Sequence, residues 1–262
     1  VKKIIIAALA AAALAGCSKE NATTPAAPVA AAAPPQNATE CSGGSLSEGQ
    51  YFMMNDVWGA SKAGAGSQCI YFNSINDWGV NASHTNTSTG IKAYPAVVFG
   101  CHYGGCSSGT GLPKKISALG NVHTWFTQSS SGTAYDAAYD IWFDPSANPG
   151  NRAATYELMI WLTWQNTNPI AAAYDASGNA VPYAANVSLS GKTWNIYRRN
   201  NVFSFLPTTK TNWVSLDAKP IIDYCVARGW MSNANYMTSV QAGWEIISGG
   251  TFKTTSYGVS GI

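Results

Sequence analysis

Charge is scarce in this chain. Of 262 residues, 15 are Lys or Arg and 13 are Asp or Glu, for a formal net charge of +2. With charged side chains at only 11% of the total, no polybasic surface for nucleic acid is available. Histidine is rarer still, with three residues. His84 and His123 show no partner pattern and read as surface or core residues. No internal repeat is present, which argues against a propeller. Long apolar runs are also missing beyond the first residues, so no transmembrane helix is expected in the rest of the chain.

The one apolar run is at the start. Lys2 and Lys3 precede Ile4 to Ala15, a stretch too short to span a bilayer, and it ends in Leu14-Ala15-Gly16-Cys17. This pattern resembles a bacterial lipobox, in which the cysteine is lipidated and becomes the mature N-terminus. Residues 1–16 are therefore expected to be a lipoprotein signal peptide and Cys17 the lipidation site. Ser18 resembles the residue of lipoproteins sent to the outer membrane. The expected localisation is export, with the lipid anchoring the chain to the bacterial outer membrane or cell surface; a plain secretory signal is the alternative. Residues 17–40, dominated by Ala, Pro, Thr and Asn, cannot bury a core and read as a linker. The remaining 41–262, about 220 residues, suit one domain.

What the sequence has in quantity is aromatics, 10 Trp and 13 Tyr. They fit a β-rich core, and some could serve as stacking platforms for sugars. Short apolar runs separated by Gly, Asn, Ser and Pro predict strands over 50–54, 68–75, 96–99, 121–127, 137–143, 156–163, 193–198, 202–206 and 237–247. The expected fold is all-β, a two-layer antiparallel sandwich or jelly roll. One helix stands out: Asp217 can cap it, Pro220 fits its first turn and Gly229 can end it. Ile221, Ile222, Cys225 and Val226 fall on one face, which should pack on the outside of the sandwich.

Six cysteines suit an exported protein. Cys41 and Cys69 flank the first two predicted strands and could staple them. Cys101 and Cys106 bracket a short loop that a disulfide could close. A zinc site on Cys101, His102 and Cys106 is conceivable but lacks a fourth ligand, so no metal is assigned. Cys225 is left over, buried on the helix. Asn81-Ala82-Ser83 and Asn86-Thr87-Ser88 fit glycosylation sequons, which a bacterial lipoprotein would leave bare.

Three strands carry an acid among apolar neighbours. In Tyr156-Glu157-Leu158-Met159-Ile160-Trp161-Leu162, alternation puts Tyr156, Leu158, Ile160 and Leu162 on a core face and Glu157, Met159, Trp161 and Thr163 on the other. In Ala138 to Phe143, Asp140 and Trp142 oppose Ile141 and Phe143. In Val240 to Ile247, Gln241, Gly243 and Glu245 share a face. Each acid alone could be a solvated surface residue. Together they supply the paired carboxylates that glycoside hydrolysis needs, one to attack and one to protonate the departing oxygen.

These segments, taken in order, resemble glycoside hydrolase family 12, the small jelly-roll endoglucanases, from about Cys41 to the C-terminus. Glu157-Leu158-Met159-Ile160-Trp161 resembles the family's nucleophile strand, Gly243-Trp244-Glu245 its acid/base strand, and Ala138-Tyr139-Asp140 the strand whose Asp bonds the nucleophile. Asn55-Asp56-Val57-Trp58-Gly59 resembles the segment whose Trp stacks on a sugar. Tyr94-Pro95 and Phe99 to Gly104 resemble its cleft-lining segment. The resemblance implies a concave cleft and a retaining endo-β-1,4-glucanase acting on cellulose-like and mixed-linkage β-glucan. It also implies Glu157 as nucleophile, Glu245 as acid and then base, and Asp140 as the residue that orients Glu157. Substrate contacts are expected from Trp58, Asn55, Asp56, Met159, Trp161, Trp142, His102 and Tyr103. No cofactor is expected, and the chain is expected to act as a monomer. Departures from the family pattern at Asp56, Gly44 and Tyr103 bear on substrate preference. Alternatives are a xyloglucan-specific enzyme of the same family and a non-catalytic glycan-binding lipoprotein.

Overall fold

A computed structural model describes residues 37–85 and 89–262. The expected signal peptide, Cys17, the linker up to residue 36 and the 86–88 sequon lie outside the described residues. In chain order the strands are β1 (Ala38–Glu40), β2 (Ser45–Glu48), β3 (Tyr51–Met54), β4 (Gln68–Ser74), β5 (Asp77–Ala82) and β6 (Ala96–His102). Next come the short β7 (Gly105–Cys106) and β8 (Lys114–Lys115), then β9 (His123–Ser130), β10 (Tyr135–Asp144) and β11 (Tyr156–Gln165). The last are β12 (Ala184–Leu189), β13 (Lys192–Arg199), β14 (Val202–Pro207), β15 (Trp213–Asp217), β16 (Tyr236–Ile246) and β17 (Gly250–Ser260), with helix α1 (Lys219–Ala227) between β15 and β16. Residues 38–40, assigned above to the linker, instead form β1 and pair with β4, so the folded part begins earlier than expected.

Among the described residues the strands form two sheets. The smaller has the order β1-β4-β5-β17-β9-β15, and the larger β12-β13-β14-β11-β10-β16-β6-β3-β2, with β7 and β8 attached. Pairing is antiparallel except between β11 and β14, which run parallel. The sheets face each other across a core of alternating aromatic and branched residues, as the sandwich expectation required. Trp78 of the small sheet meets Trp244 of the large one with ring centroids 5.4 Å apart, and Phe126 packs against both Trp244 and Tyr139. The buried Trp244 indole satisfies its N–H by donating to Gln128 Oε1 at 3.0 Å.

The helix differs from expectation in two respects. Ala218 stands at its N-cap; Asp217, one residue earlier, accepts from the N–H groups of Val122 and Lys219. Its apolar face also does not sit outside the sandwich. Ile221, Ile222 and Cys225 are fully buried in the main core, and Tyr224 packs on Phe205 of β14. The large sheet is wider than the small one, so α1 covers the overhang and extends the smaller layer. Gly229, at φ +67°, ends it as expected, with Trp230 N–H donating to the Cys225 carbonyl.

Both disulfides form, Cys41–Cys69 and Cys101–Cys106, and Cys225 is free and buried. The second bridge uses both thiols that the zinc alternative needed. No described helix is long and apolar enough to cross a membrane.

Candidate active site

The outer face of the larger sheet is built by parity. In an antiparallel pair, residues directly opposite point the same way. Asp136, Ala138, Asp140 and Trp142 of β10 stand opposite Glu245, Gly243, Gln241 and Ser239 of β16. On the other side, Ala138, Asp140 and Trp142 stand opposite Trp161, Met159 and Glu157 of β11. Three neighbouring strands thus present their acids on one face. Register shifts at Ala137/Ala138 and at Trp142/Phe143 place an extra residue in each flanking strand, Leu162 in β11 and Thr238 in β16. Although Glu245 and Glu157 face opposite ends of β10, both line one cleft of about 690 Å³.

The first of these shifts also moves a residue. Thr163 pairs with Ala137, a core residue, so it leaves the face of Glu157 on which simple alternation put it. Trp164 takes the cleft side, opposite Asp136.

Gly243 is what lets β16 approach its neighbours closely here. A Cβ at that position would lie 2.1 Å from the Pro95 carbonyl oxygen.

The cleft walls hold Trp58, Asp56, Trp142, His102, Tyr103 and Tyr94 beside Glu157, Glu245 and Asp140. Three of the expected contact residues are not at its surface. Asn55 is fully buried, donating to the Gln68 carbonyl at 3.1 Å and accepting from Gln68 Nε2 at 2.8 Å. Its amide is used up in fixing the start of the Trp58 loop. Met159 and Trp161 do face the same side as Glu157, but at 3% and 1% exposure they are covered. They pack with Leu206, Trp164, Tyr197 and Val202, so they support the nucleophile strand and do not touch the cleft.

Burial governs the electrostatics. It pushes Glu157 up to about 8, helped by the charge of Glu245, while a hydrogen bond with Asp140 works the other way. Burial also raises Asp140 well above its ordinary range, with Glu157 and Glu245 adding to the effect. Tyr94, fully enclosed, directs its hydroxyl to the Asp140 carboxyl and to the Ala138 carbonyl at 3.5 Å. Glu245 is raised by burial and pulled back by Asp136 and by the positive charge of Lys62. The site therefore favours a single negative charge: whichever glutamate ionises first hinders the other. Attack from one side and proton donation from the other need Glu157 ionised and Glu245 protonated; a protonated Asp140 donating to Glu157 favours the first of these against the burial that opposes it.

The remaining wall residues are set by their partners. Burial holds His102 down at about 4, and its Nδ1 accepts from Gln241 Nε2 at 2.9 Å. It is a neutral wall residue with its ring against Tyr103 and Trp142. Burial pushes Asp56 up to about 6 although it accepts from the Trp58 N–H. Asp136 and Lys62 are site residues that sequence reasoning passed over, while Tyr94 lines the cleft as its segment's resemblance implied. Asp136 has the same parity as Asp140, and extending the predicted strand by one residue would have found it.

The sequence model of glycosyl hydrolase family 12 matches residues 49–260. The chain belongs to glycosyl hydrolase family 12. Endoglucanase S of Pectobacterium parmentieri is 34% identical over 213 residues, covering 76% of this chain and 77% of the relative. Xyloglucan-specific endo-beta-1,4-glucanase A of Emericella nidulans is 31% identical over 228 residues, covering 82% and 87%. Among solved structures, a family 12 xyloglucanase from Bacillus licheniformis superposes with a TM-score of 0.76 at 29% identity, covering 85% of this chain and 99% of that one. An endoglucanase from Rhodothermus marinus gives 0.71 at 33% identity, covering 86% and 95%. The family 12 jelly roll is therefore the fold of this chain, and its acid-bearing cleft lies where three strands of the larger sheet meet.

Proposed function

We propose that this family 12 glycoside hydrolase cleaves internal β-1,4-glucosidic bonds of β-glucans by a retaining double displacement. The observation that carries the reading is the pair Glu157 and Glu245 in one cleft, with Asp140 bonded to the first. Glu157 attacks the anomeric carbon and forms a glycosyl-enzyme intermediate, while Glu245 gives its proton to the departing oxygen. Glu245, now a carboxylate, takes a proton from water, and that water releases the sugar from Glu157. Asp140 holds the Glu157 carboxylate in place by donating to it. Trp58 stacks on a glucosyl ring at the cleft wall.

The favoured substrates are amorphous or soluble cellulose derivatives and mixed-linkage β-glucan. Xyloglucan is the second reading, because relatives of that activity match over most of the chain. Hydrolysis of carboxymethylcellulose, barley β-glucan and tamarind xyloglucan, assayed side by side, tests the choice. Cleavage of xyloglucan alone would overturn the cellulose-like preference. Turnover surviving in Glu157→Gln would overturn the mechanism.

The lipobox-like Leu14 to Cys17 supports a further part of the reading: an enzyme lipid-anchored to the bacterial outer membrane or cell surface, with the Ala/Pro-rich stretch after Cys17 as a tether. Mass spectrometry of the mature N-terminus checks this. Cleavage elsewhere than before Cys17, or an unmodified Cys17, would make the protein a soluble secreted one.

A further inference from the structure

Beside the pair Asp140–Glu157 the structure holds a second aspartate–glutamate pair. Asp136 is fully buried on β10 and stands directly opposite Glu245 on β16. The two carboxyl groups are within hydrogen-bonding reach of each other. Neither Asp136 oxygen finds any other partner among the described residues. Two carboxylates are both acceptors, so such a contact is favourable only with a proton between them. A buried acid with no donor from the backbone, an arginine or an amide is costly unless this contact satisfies it.

We infer that Asp136 is a positioning residue for the acid/base: a carboxylic acid kept neutral so that its O–H donates to the Glu245 carboxyl.

The proton belongs on Asp136. Burial raises it well above its ordinary value, and Glu245, Asp140 and Glu157 all add to the rise. On Glu245 the same hydrogen bond acts downward, as does Lys62. Tyr94 is the other titratable group facing the cluster, and burial keeps it neutral. Asp136 thus mirrors Asp140: one strand carries two neutral aspartic acids, each donating to a catalytic glutamate on a flanking strand.

The consequence lies in the proton steps. When the glycosidic C–O bond breaks, the Glu245 proton moves to the departing oxygen and the new carboxylate accepts the Asp136 O–H bond. Asp136 keeps its proton throughout. When water attacks the intermediate, its proton returns to Glu245 and the hydrogen bond relaxes. A carboxylate generated inside a closed cleft is thereby stabilised in the state that follows each proton donation.

This inference rests on the hydrolase reading above. The test compares Asp136→Asn with Asp136→Leu in the full chain. An amide can donate to Glu245 without holding an ionisable proton; leucine fills similar space and cannot donate. Asn should keep kcat within about fivefold of wild type, and Leu should lower it by about thirtyfold or more. The alkaline limb of kcat/KM should move to higher pH in Leu, because Glu245 loses a donor to its charged form, and should stay near wild type in Asn. Leu behaving as wild type, or Asn behaving as Leu, would overturn the proposal, since packing alone would then explain Asp136.

A titration of the unaltered protein, followed by carbon NMR of labelled aspartyl carboxyls, keeps the test open if Leu does not fold. Asp136, assigned through Asp136→Asn, should still be protonated at pH 6; titration near the ordinary aspartate value would overturn the inference. If the wild type cleaves no β-glucan the functional reading fails, while the titration still decides whether Asp136 and Glu245 share a proton.

Discussion

The Lys62 ammonium sits 4.1 Å from the centroid of the Trp58 ring and donates to the Ile91 carbonyl at 2.8 Å. One face of the indole is thereby covered and its tilt fixed. With Trp58 53% exposed on the cleft wall, the other face is open to a sugar ring. Lys62 also acts on Glu245, favouring its ionised form. A single cation thus links the stacking platform to the acid/base.

Trp58→Ala should raise KM for a soluble glucan by about tenfold while leaving kcat and thermal stability nearly unchanged, because an exposed ring gives up binding surface and no core. Lys62→Met should raise KM less, by about threefold. It should also move the alkaline limb of kcat/KM to higher pH, since Glu245 keeps its proton longer without the nearby positive charge. Steady-state kinetics across pH checks both. An unshifted limb in Lys62→Met would show that the cation acts on Trp58 alone.

Asn55 makes a different prediction. It begins a buried relay in which its amide pairs with Gln68, and Gln68 Oε1 in turn meets His84 Nε2 at 3.0 Å. His84 Nδ1 accepts from the Gly66 N–H, so the relay ties two loops at the cleft edge. Asn55→Ala leaves buried polar groups of Gln68 unpaired, at a cost of about 1–3 kcal/mol, or about 2–8 °C in Tm for a domain of this size. The expected kinetic effect is a raised KM with kcat kept. A Tm within a degree of wild type would mean that solvent replaces the relay.

The same residue shows where sequence reading stops. Asn55 lies in a motif whose Trp does reach the cleft, but one peptide unit separates a wall residue from a buried brace. Nothing in the pattern says which side of the loop faces inward. Alternation worked where strands were regular: Glu157, Asp140, Trp142 and Glu245 all fall on the face that it gave them. It failed at Thr163, because a β-bulge is invisible to a period of two. The same cause hid β17, whose inward residues Phe252, Thr254, Tyr257 and Val259 change parity at the shift between Thr254 and Ser256. Met159 and Trp161 have the expected parity but are covered by Trp164, which the register shift turns to their side, and by Tyr197 of β13, a strand distant in sequence.

Asp144 closes the loop between the two strands that carry Asp140 and Glu157. Its buried carboxylate accepts from Arg152 Nη1 and Nη2 at 2.7 and 2.9 Å, from the Thr155 N–H and hydroxyl, and from the Ser146 N–H. Although burial opposes it, these donors hold Asp144 down to about 2. Asp144→Ala removes one hub and strands several donors, so a loss of about 2–4 kcal/mol is expected in denaturant unfolding. A loss below 1 kcal/mol would show that the loop is held by packing alone.

The catalytic carboxyls should leave a mark on stability as well as on rate. Asp136, Asp140, Glu157 and Glu245 are all raised by burial, Glu157 to about 8. A carboxyl raised in the folded state binds more protons there than in the unfolded chain. Its contribution is complete below the ordinary carboxyl value and is lost as pH rises through the folded one. For Glu157 that window runs from 4.5 to about 8. Asp144 acts in the opposite sense: its stabilisation is present above 3.8 and is lost as pH falls through about 2. Maximal stability is therefore expected near pH 4–5, with a decline toward pH 8. Glutamine cannot ionise, so Glu157→Gln should flatten the decline and melt about 5 °C above wild type at pH 8, while the two stay close at pH 4. Thermal denaturation at pH 4, 6 and 8 measures this. Parallel curves for wild type and variant would show that Glu157 ionises in the folded protein as easily as in the unfolded chain. The cleft would then have to be far wetter than its geometry implies.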